Sequence, residues 1–280
     1  MVDKKISIAM TTFNGERFIE EQLNSILIQS VKADEIIIFD DCSTDNTVKI
    51  LNEIQSQNPN ANIVVKKNIY NVGYIKNFYN AISCTSGDYI FLADQDDIWH
   101  YDKIERMIIK MEDTGAKAIC SNFNLINKNG EQLLNCNYRI NSFIKECNKE
   151  LKEITFERLI WENISQGCTY CFTKDVKDVY LSLKNSILIH DYQIMLIASL
   201  IGKVFFYNEK LIDYRLHDNN TIGFDNKNKK RSFKLKKPLS KPIMVSFLCD
   251  LNNSIIVPKI GFYIILFYLR IPYVYMKIRG

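Results

Sequence analysis

Along the first 123 residues, short apolar runs of strand length alternate with stretches in which apolar residues recur every three or four positions. Ile6–Met10, Glu35–Phe39, Ile63–Val65, Tyr89–Ala93 and Ala116–Phe123 read as strands. Glu16–Gln29, with Phe18, Ile19, Leu23, Ile26 and Leu27 at helical spacing, reads as a helix. So do the stretch carrying Val48, Ile50, Leu51 and Ile54, the segment Tyr74–Ile82 and the segment Lys103–Met111. Ser43 or Thr44 is placed to cap the second of these helices. Strands separated by helices need crossovers, which are right-handed. The pattern therefore predicts an α/β fold, a mixed and mainly parallel sheet flanked by helices.

Past residue 123 the pattern loosens. Lys128-Asn-Gly-Glu131 reads as a hairpin turn, Phe156–Trp161 as a helix and Thr169–Phe172 as a strand. His190-Asp191 opens an apolar helix ending at Gly202, and Lys203–Tyr207 and Lys210–Leu216 read as two further strands. No internal repeat is present.

The 280 residues, 47% hydrophobic and 24% charged, suit one large core or a core with a small appendage. No apolar run suited to export follows Met1-Val-Asp-Lys-Lys5, so the active domain is expected to face the cytoplasm. The eight cysteines are scattered, as expected of reduced, packed thiols. Only Cys168-Thr-Tyr-Cys171 has a suggestive spacing, and on a strand its two thiols would point to opposite faces. The net charge of +4 hides an asymmetry: residues 1–224 carry 24 basic and 30 acidic side chains, residues 225–280 carry 12 and 2. That distribution excludes a uniform nucleic-acid surface and divides the chain at residue 224. The first unit splits again into 1–123, the regular half, and 124–224.

Polar punctuation falls at the C-terminal ends of the predicted strands: Thr11 to Asn14, Asp40-Asp41, and Asp94-Gln95-Asp96-Asp97. Ligands of such sheets bind beyond those ends, so the three clusters converge on one crevice. Asp94, Asp96 and Asp97 directly follow Ile90-Phe-Leu-Ala93, and carboxylates packed against a buried strand are costly without a cation or a set of donors. Mg²⁺ or Mn²⁺ takes such oxygen ligands and commonly binds substrate phosphates too. The competing explanation is an acidic loop at the positive end of the next helix. Asp40 to Asp45 divides the same way. Asp45 and Ser43 suit a helix cap worth about 1 kcal/mol, whereas Asp41 suits the imide N–H of uracil or thymine.

Asn71-Val-Gly-Tyr-Ile-Lys-Asn77 is a turn entering a helix. From it Lys76 could reach a diphosphate and Asn77 a sugar hydroxyl, or Lys76 could simply be solvated. Asp191 is either the N-cap of its helix or a general base, with His190 as a structural neighbour. Arg215 and His217 end the last strand; they suit a phosphate and a metal or diphosphate, or they face solvent.

Taken in order, the runs are Ser7-Ile-Ala-Met-Thr-Thr-Phe-Asn-Gly-Glu16, Asp40-Asp-Cys-Ser-Thr-Asp-Asn-Thr47, Asn71 to Asn77 and Gly87-Asp-Tyr-Ile-Phe-Leu-Ala-Asp-Gln-Asp-Asp-Ile-Trp99. His190-Asp191 and Tyr214-Arg-Leu-His-Asp-Asn-Asn-Thr-Ile-Gly223 follow in the second half. The set resembles the family 2 glycosyltransferases of the GT-A, Rossmann-like fold, and most resembles their rhamnosyltransferase branch. The resemblance implies a metal-dependent, inverting transfer of a hexose or deoxyhexose such as rhamnose. The donor would be a UDP- or dTDP-sugar and the acceptor a hydroxyl of a glycan or polyprenyl-linked glycan, in cell-surface polysaccharide synthesis. Thr11 and Phe13 would line the base pocket, with Asp41 on the base and Asp94 near the ribose. Asp96 and His217 would hold Mn²⁺ or Mg²⁺, and Asp191 would be the catalytic base. Asn14, Glu16, Lys76, Asn77 and Gln95 complete the implied nucleotide-sugar set.

Two positions depart from the family pattern. Cys42 stands where Gly is frequent, so a loop that does without positive φ is expected there, and Tyr101 stands where Pro is common. A sugar nucleotidyltransferase would share much of the sheet but needs a Gly-rich loop with Arg and Lys where this chain has Thr11 to Glu16. A non-catalytic nucleotide-sugar-binding relative would lack the base or the metal ligand.

Residues 226–241 hold eight Lys/Arg and no acidic residue, and apolar segments follow at Ile243–Leu248 and Ile255–Tyr275. The longest run there without charge or Pro, Ile260–Leu269, falls short of the roughly 20 residues that span a bilayer. Amphipathic, aromatic-rich helices beside a basic patch suit an anionic membrane surface, which would make the protein peripheral at the inner face of the plasma membrane. The alternative is that these helices pack on the catalytic domain or on a second copy in a homo-oligomer.

Overall fold

The computed structural model describes residues 4–134, 136, 138, 140–183, 188–217 and 247–251. In chain order the first half contains β1 (Ile6–Thr12), α1 (Ile19–Leu27), β2 (Glu35–Asp40), α2 (Thr47–Gln57), β3 (Ile63–Lys67), α3 (Tyr74–Ser83) and β4 (Tyr89–Ala93). Next come β5 (Ile98–Trp99), α4 (Lys103–Thr114), β6 (Ala118–Asn127), α5 (Ser142–Lys145), β7 (Leu151–Glu153) and α6 (Phe156–Leu159). A 3-10 turn at Gly167–Thr169 leads into β8 (Tyr170–Thr173), α7 (Lys174–Ser182), α8 (His190–Ile201) and β9 (Val204–Leu216).

β1, β2 and β4 are buried at every position. Successive strand residues point to opposite faces, so helices cover both sides of the sheet, which is why these strands read as unbroken apolar runs. α3 packs on β1 and β2 and meets α7 and α8, while α1 and α2 pack together. α4 is amphipathic, with Ile104, Met107 and Met111 buried. Each such side chain contributes about 1.5–3 kcal/mol by leaving water.

The strand order is β3-β2-β1-β4-β8-β6-β9-β5, with β7 paired to β9. β1 pairs in parallel with β2 and β4, β2 with β3, and β6 with β9. β8 runs antiparallel to both β4 and β6, which sets β4 and β6 in one direction. The C-terminal ends of β1, β2, β3, β4, β6 and β9 therefore share one edge of the sheet. The chain steps outward from β1 through β2 to β3, then returns to lay β4 on the other side of β1. That reversal opens a crevice at the ends of β1 and β4.

Several expectations need correction. The two strands foreseen in 203–216 are one strand, β9, because register shifts against β6 at Ser121/Asn122 and Asn122/Asn124 absorb the polar interruption. β5, β7 and α7 were not foreseen; β5 and β7 are too short to show a period. Neither Ser43 nor Thr44 caps α2: Asn46 is its N-cap, and the Asp45 Oδ1 accepts from Thr47 N at 3.0 Å. The turn at 128–131 is present, with Asn127 N donating to Glu131 O at 2.8 Å. All eight cysteines are free thiols.

Residues 247–251 are helical, and Phe247, Leu248 and Leu251 are buried in the same core as the sheet. The end of the apolar segment Ile243–Leu248 thus packs on the domain. The basic run at 226–241 and the segment Ile255–Tyr275 lie outside the described residues. Among the described residues no helix is long and apolar enough to cross a membrane.

Candidate active site

Backbone N–H groups at strand ends lose their ladder partners and need other acceptors. The loop after β1 finds them on its neighbours. Asn14 N donates to Ser43 Oγ, Gly15 N to Thr47 Oγ1, and Phe13 N to Gln95 Oε1, each at 2.8 Å. In return Thr44 N donates to Asn14 Oδ1 and Asn46 N to Glu16 Oε2, both at 2.9 Å, and Gln95 Nε2 donates to Phe13 O at 3.1 Å. A Cβ on Gly15 would overlap the Gln95 amide and displace it from its bonds to Phe13. Asn14, Glu16 and Gln95, which the resemblance assigned to the nucleotide sugar, thus also hold three loops together. Thr11 is buried at the end of β1, and Phe13, 45% exposed, stands on the rim.

Asp41 is buried behind this frame. Its Oδ1 accepts from Val72 N at 2.8 Å and Asn68 Nδ2 at 2.9 Å, and its Oδ2 accepts from Gly73 N at 2.8 Å. A carboxylate has about four acceptor positions, so Oδ2 keeps one for a further donor. Asn77 does not reach the crevice. It is buried, donating through Nδ2 to Phe39 O and accepting from Asn68 Nδ2, each at 2.8 Å. Exposed Lys76 lies with its Nζ 4.1 Å from the Tyr79 ring centre.

Contrary to expectation, the loop does take positive φ at Cys42, at 67°. An L-residue there gives up about 1–2 kcal/mol, against about 0.5–1 kcal/mol of unfolded-state entropy for Gly. Cys42→Gly is expected to raise stability by about 0.5 kcal/mol or more in urea unfolding; a destabilised variant would show that the thiol contributes contacts of its own.

The acidic loop after β4 meets the end of β9. Asp96 Oδ2 lies 2.7 Å from His217 Nε2, and His217 in turn packs on Phe18 at 4.9 Å between ring centres. Asp97 caps no helix: α4 begins at Lys103 with Asp102 as N-cap. Instead Asp97 is fully buried, with Oδ1 accepting from Arg215 N at 3.1 Å and Oδ2 without a hydrogen-bond partner. Arg215 is not placed for phosphate. Its Nε donates to Asp96 O at 2.7 Å, and its guanidinium nitrogens donate to Asn127 O and Glu21 Oε2 at 3.3 and 2.6 Å. It is a bracket that holds β9 to the acidic loop.

Asp94, half-buried, brings a carboxylate oxygen within 4.8 Å of one on Asp97 and of the Cys168 thiol. Burial, then the charges of Asp96 and Asp191, push the Asp94 carboxyl up to about 7. Burial, Asp96 and Asp94 hold Asp97 well above the usual carboxylate range.

Two donor sets could hold a divalent ion. Asp96 Oδ2 and His217 Nε2 are joined by a 2.7 Å hydrogen bond, which would open for both to reach one ion. The Asp94–Asp97–Cys168 set has the spacing. However, burial holds its thiol well above normal ionisation, and the buried ammonium of Lys103 lies within its field.

Asp191 is the second residue of α8, not its N-cap, which is Ile189. Its carboxylate accepts from Tyr192 N at 2.6 Å and Asn163 Nδ2 at 3.0 Å, yet burial outweighs these and raises it to about 6. His190 stacks on Phe78 with ring centres 3.9 Å apart, and burial lowers it to about 3, so it is neutral. Asp191 lies against the Gly167–Thr169 turn, whose Cys168 thiol is within 4.8 Å of Asp94 and Asp97, so base candidate and acidic loop are neighbours.

Asn163, Arg215 as a bracket and Lys103 were not anticipated. Lys103 alone left a signal: it lies in helical phase with the apolar Met107 and Met111.

The sequence model of Glycosyl transferase family 2 matches residues 7–168, and this chain belongs to that family. The dTDP-rhamnosyl transferase RfbG of Shigella flexneri is 33% identical over 226 residues, which cover 76% of this chain and 73% of that protein. An undecaprenol-linked glycan β-1,3-glucosyltransferase of Escherichia coli, WfgD, is 29% identical over 57% of this chain and 63% of its own. The fold matches Staphylococcus aureus TarS in complex with UDP-GlcNAc at TM-score 0.64 and 18% identity, over 89% of this chain and 67% of that one. It also matches a Pyrobaculum calidifontis mannosyltransferase with GDP-Man and Mn²⁺ at TM-score 0.59 and 14% identity, over 97% and 71%. The α/β sheet is thus GT-A-like.

Proposed function

We propose that the chain is an inverting, metal-dependent glycosyltransferase. It moves a sugar, rhamnose being the first choice, from a dTDP- or UDP-sugar to a hydroxyl of a glycan or lipid-linked glycan during cell-surface polysaccharide synthesis. The observation that carries this reading is the placing of buried Asp191 against the Gly167–Thr169 turn, whose Cys168 thiol lies within 4.8 Å of Asp94 and Asp97 in the acidic loop. The choice of dTDP-rhamnose is supported by the likeness to RfbG, and a polyprenyl-linked acceptor by the likeness to WfgD.

Asp41 offers its remaining acceptor position to the imide N–H of the base, beside Thr11 and Phe13, and Asp94 faces the ribose. Asp96 and His217 would hold Mn²⁺ or Mg²⁺, which would supply positive charge at the diphosphate. Asp191 accepts the proton of the acceptor hydroxyl as that oxygen attacks the anomeric carbon from the face opposite the leaving group. Neutral His190 cannot compete for that proton at its lowered pKa. In the same reading, residues 1–224 form the catalytic unit. Residues 225–280 tether it, through basic and apolar surface, to the cytoplasmic face of the membrane.

A non-catalytic relative would have lost the base or the metal ligand, and here Asp96, Asp191 and His217 are all in place. The test is a panel of dTDP- and UDP-sugars offered to the full chain with a lipid-linked glycan acceptor. Metal-dependent transfer from one donor is expected; metal-independent nucleotide binding without transfer would remove the reading. The base must be ionised to act, so kcat/KM is expected to fall tenfold per pH unit below about 6, the value at which Asp191 takes its proton. Initial rates at saturating metal check this, and a flat profile from neutral to acid would exclude Asp191.

A further inference from the structure

Lys103, the first residue of α4, is fully buried. An ammonium taken out of water loses several kcal/mol of solvation. Ile104, Met107 and Met111 already give α4 its apolar face, so helix packing does not account for a charge at this position. The ammonium donates to the Cys168 carbonyl at 2.7 Å and lies 3.8 Å from the centre of the Trp99 ring. Neither contact is an ion pair. Burial lowers the ammonium to about 8, and the nearby Asp97 and Asp94 oppose that shift.

The Cys168 carbonyl belongs to the Gly167–Thr169 turn, and that turn is packed against the start of α8. A Cβ on Gly167 would lie 3.1 Å from Asp191 Cβ and 3.3 Å from His190 Nε2. The Gly167 backbone is near enough to favour the charged form of Asp191. A continuous path therefore runs from the acidic loop through Lys103, the Cys168 carbonyl and Gly167 to Asp191. Its two ends belong to different halves of the domain, separated by more than 90 residues of chain.

We infer that Lys103 is a positioning residue, an internal cation that sets the donor-side acidic loop and the acceptor-side base in register. The inference deepens the proposed function and rests on it. A neutral donor could hold the Cys168 carbonyl. Only a cation also favours the charged form of the Asp94 carboxyl beside it. Without it the Cys168 carbonyl loses its tie to α4, and the loop that carries Asp96 loses its fixed relation to the turn beneath Asp191.

The experiment compares the full chain with Lys103→Met and Lys103→Gln. It reads Mn²⁺-dependent UDP and dTDP binding by calorimetry, and kcat and KM for transfer. Lys103→Met removes a positive charge near the metal ligands, so the Mn²⁺ concentration needed for half-saturation is expected to fall about threefold. The nucleotide Kd at saturating Mn²⁺ should hold, while kcat drops by about 30-fold or more as Asp191 loses its register. Ordinary structural damage moves the metal requirement the other way. A kcat within threefold of the parent, or a Mn²⁺ requirement that rises together with the nucleotide Kd, would overturn the inference. Lys103→Gln keeps a donor without the charge, and it decides the same two quantities should the Met chain fail to fold. A parent chain that shows no metal-dependent nucleotide binding overturns the functional reading and this inference with it; a parent that transfers, beside an indifferent Lys103→Met, overturns this inference alone.

Discussion

Replacing Asp191 with Asn is expected to lower kcat by about a thousandfold, the usual worth of a positioned general base, while leaving the protein at least as stable at neutral to alkaline pH. The two effects have one cause. Burial raises the Asp191 carboxyl from 3.8 to about 6, so the fold prefers the protonated form. A carboxyl whose folded pKa lies above its unfolded one destabilises the native state above that folded pKa, and the penalty fades as pH falls through it. The shift of about two units corresponds to about 3 kcal/mol. Asn carries no such penalty. It must, however, turn an N–H toward Tyr192 N or Asn163 Nδ2, the donors the carboxylate now accepts from, and the lost hydrogen bond returns about 1 kcal/mol. Denaturant titration at about pH 8 should therefore place Asp191→Asn about 2 kcal/mol above the parent, and the gap should close as the pH is lowered from about 6 toward 4. Single-turnover transfer supplies the other half. An Asn variant that transfers within tenfold of the parent would rule out the base, and one that loses activity and stability together would make Asp191 a structural residue.

The fold was legible where burial is two-sided. β1, β2 and β4 leave uninterrupted apolar runs because neighbours above and below both exclude water. β9 was misread as two strands because Asn208 and Glu209 look like a break, and nothing local shows that a bulge against β6 carries the strand past them. At the site, sequence identified which segments meet but not which groups stay available. Gln95, Asn14, Glu16 and Asn77 have the right chemistry for a nucleotide sugar and the right neighbours, and each also bonds a backbone or amide group of the frame. The same side chain serves either purpose, and only the three-dimensional partner list separates them. Cys42 shows the reverse failure. Its residue type argued against positive φ, but Ser43 N is drawn onto Asp40 Oδ1 at 2.8 Å while Asp41 is held by the 72–73 backbone. Those bonds outweigh an intrinsic preference of about 1–2 kcal/mol.

Asp96→Asn is expected to remove the dependence of UDP or dTDP binding on Mn²⁺ and to lower kcat/KM by about a thousandfold, several kcal/mol of lost charge stabilisation. Asp96 Oδ2 is the oxygen that faces His217 Nε2, and an amide there offers that position a weaker, uncharged ligand. His217→Ala should act in the same direction but less, since one carboxylate and the diphosphate oxygens remain. Arg215 keeps its bonds to Asp96 O and Glu21 in both variants, so the frame survives and thermal stability should change little. Asp97 and Cys168 provide the contrast. Asp97 Oδ1 anchors the Arg215 backbone, so Asp97→Asn is expected to act on stability, and Cys168→Ser on neither metal nor nucleotide. The two donor sets near the crevice thereby make opposite forecasts for four variants measured in one titration. Loss of the Mn²⁺ requirement in Asp97→Asn or Cys168→Ser, with Asp96→Asn unaffected, would move the ion to the Asp94–Asp97–Cys168 set. It would also oblige Lys103 to give way when the ion binds, since an ammonium and a divalent ion cannot share one buried cluster at full charge.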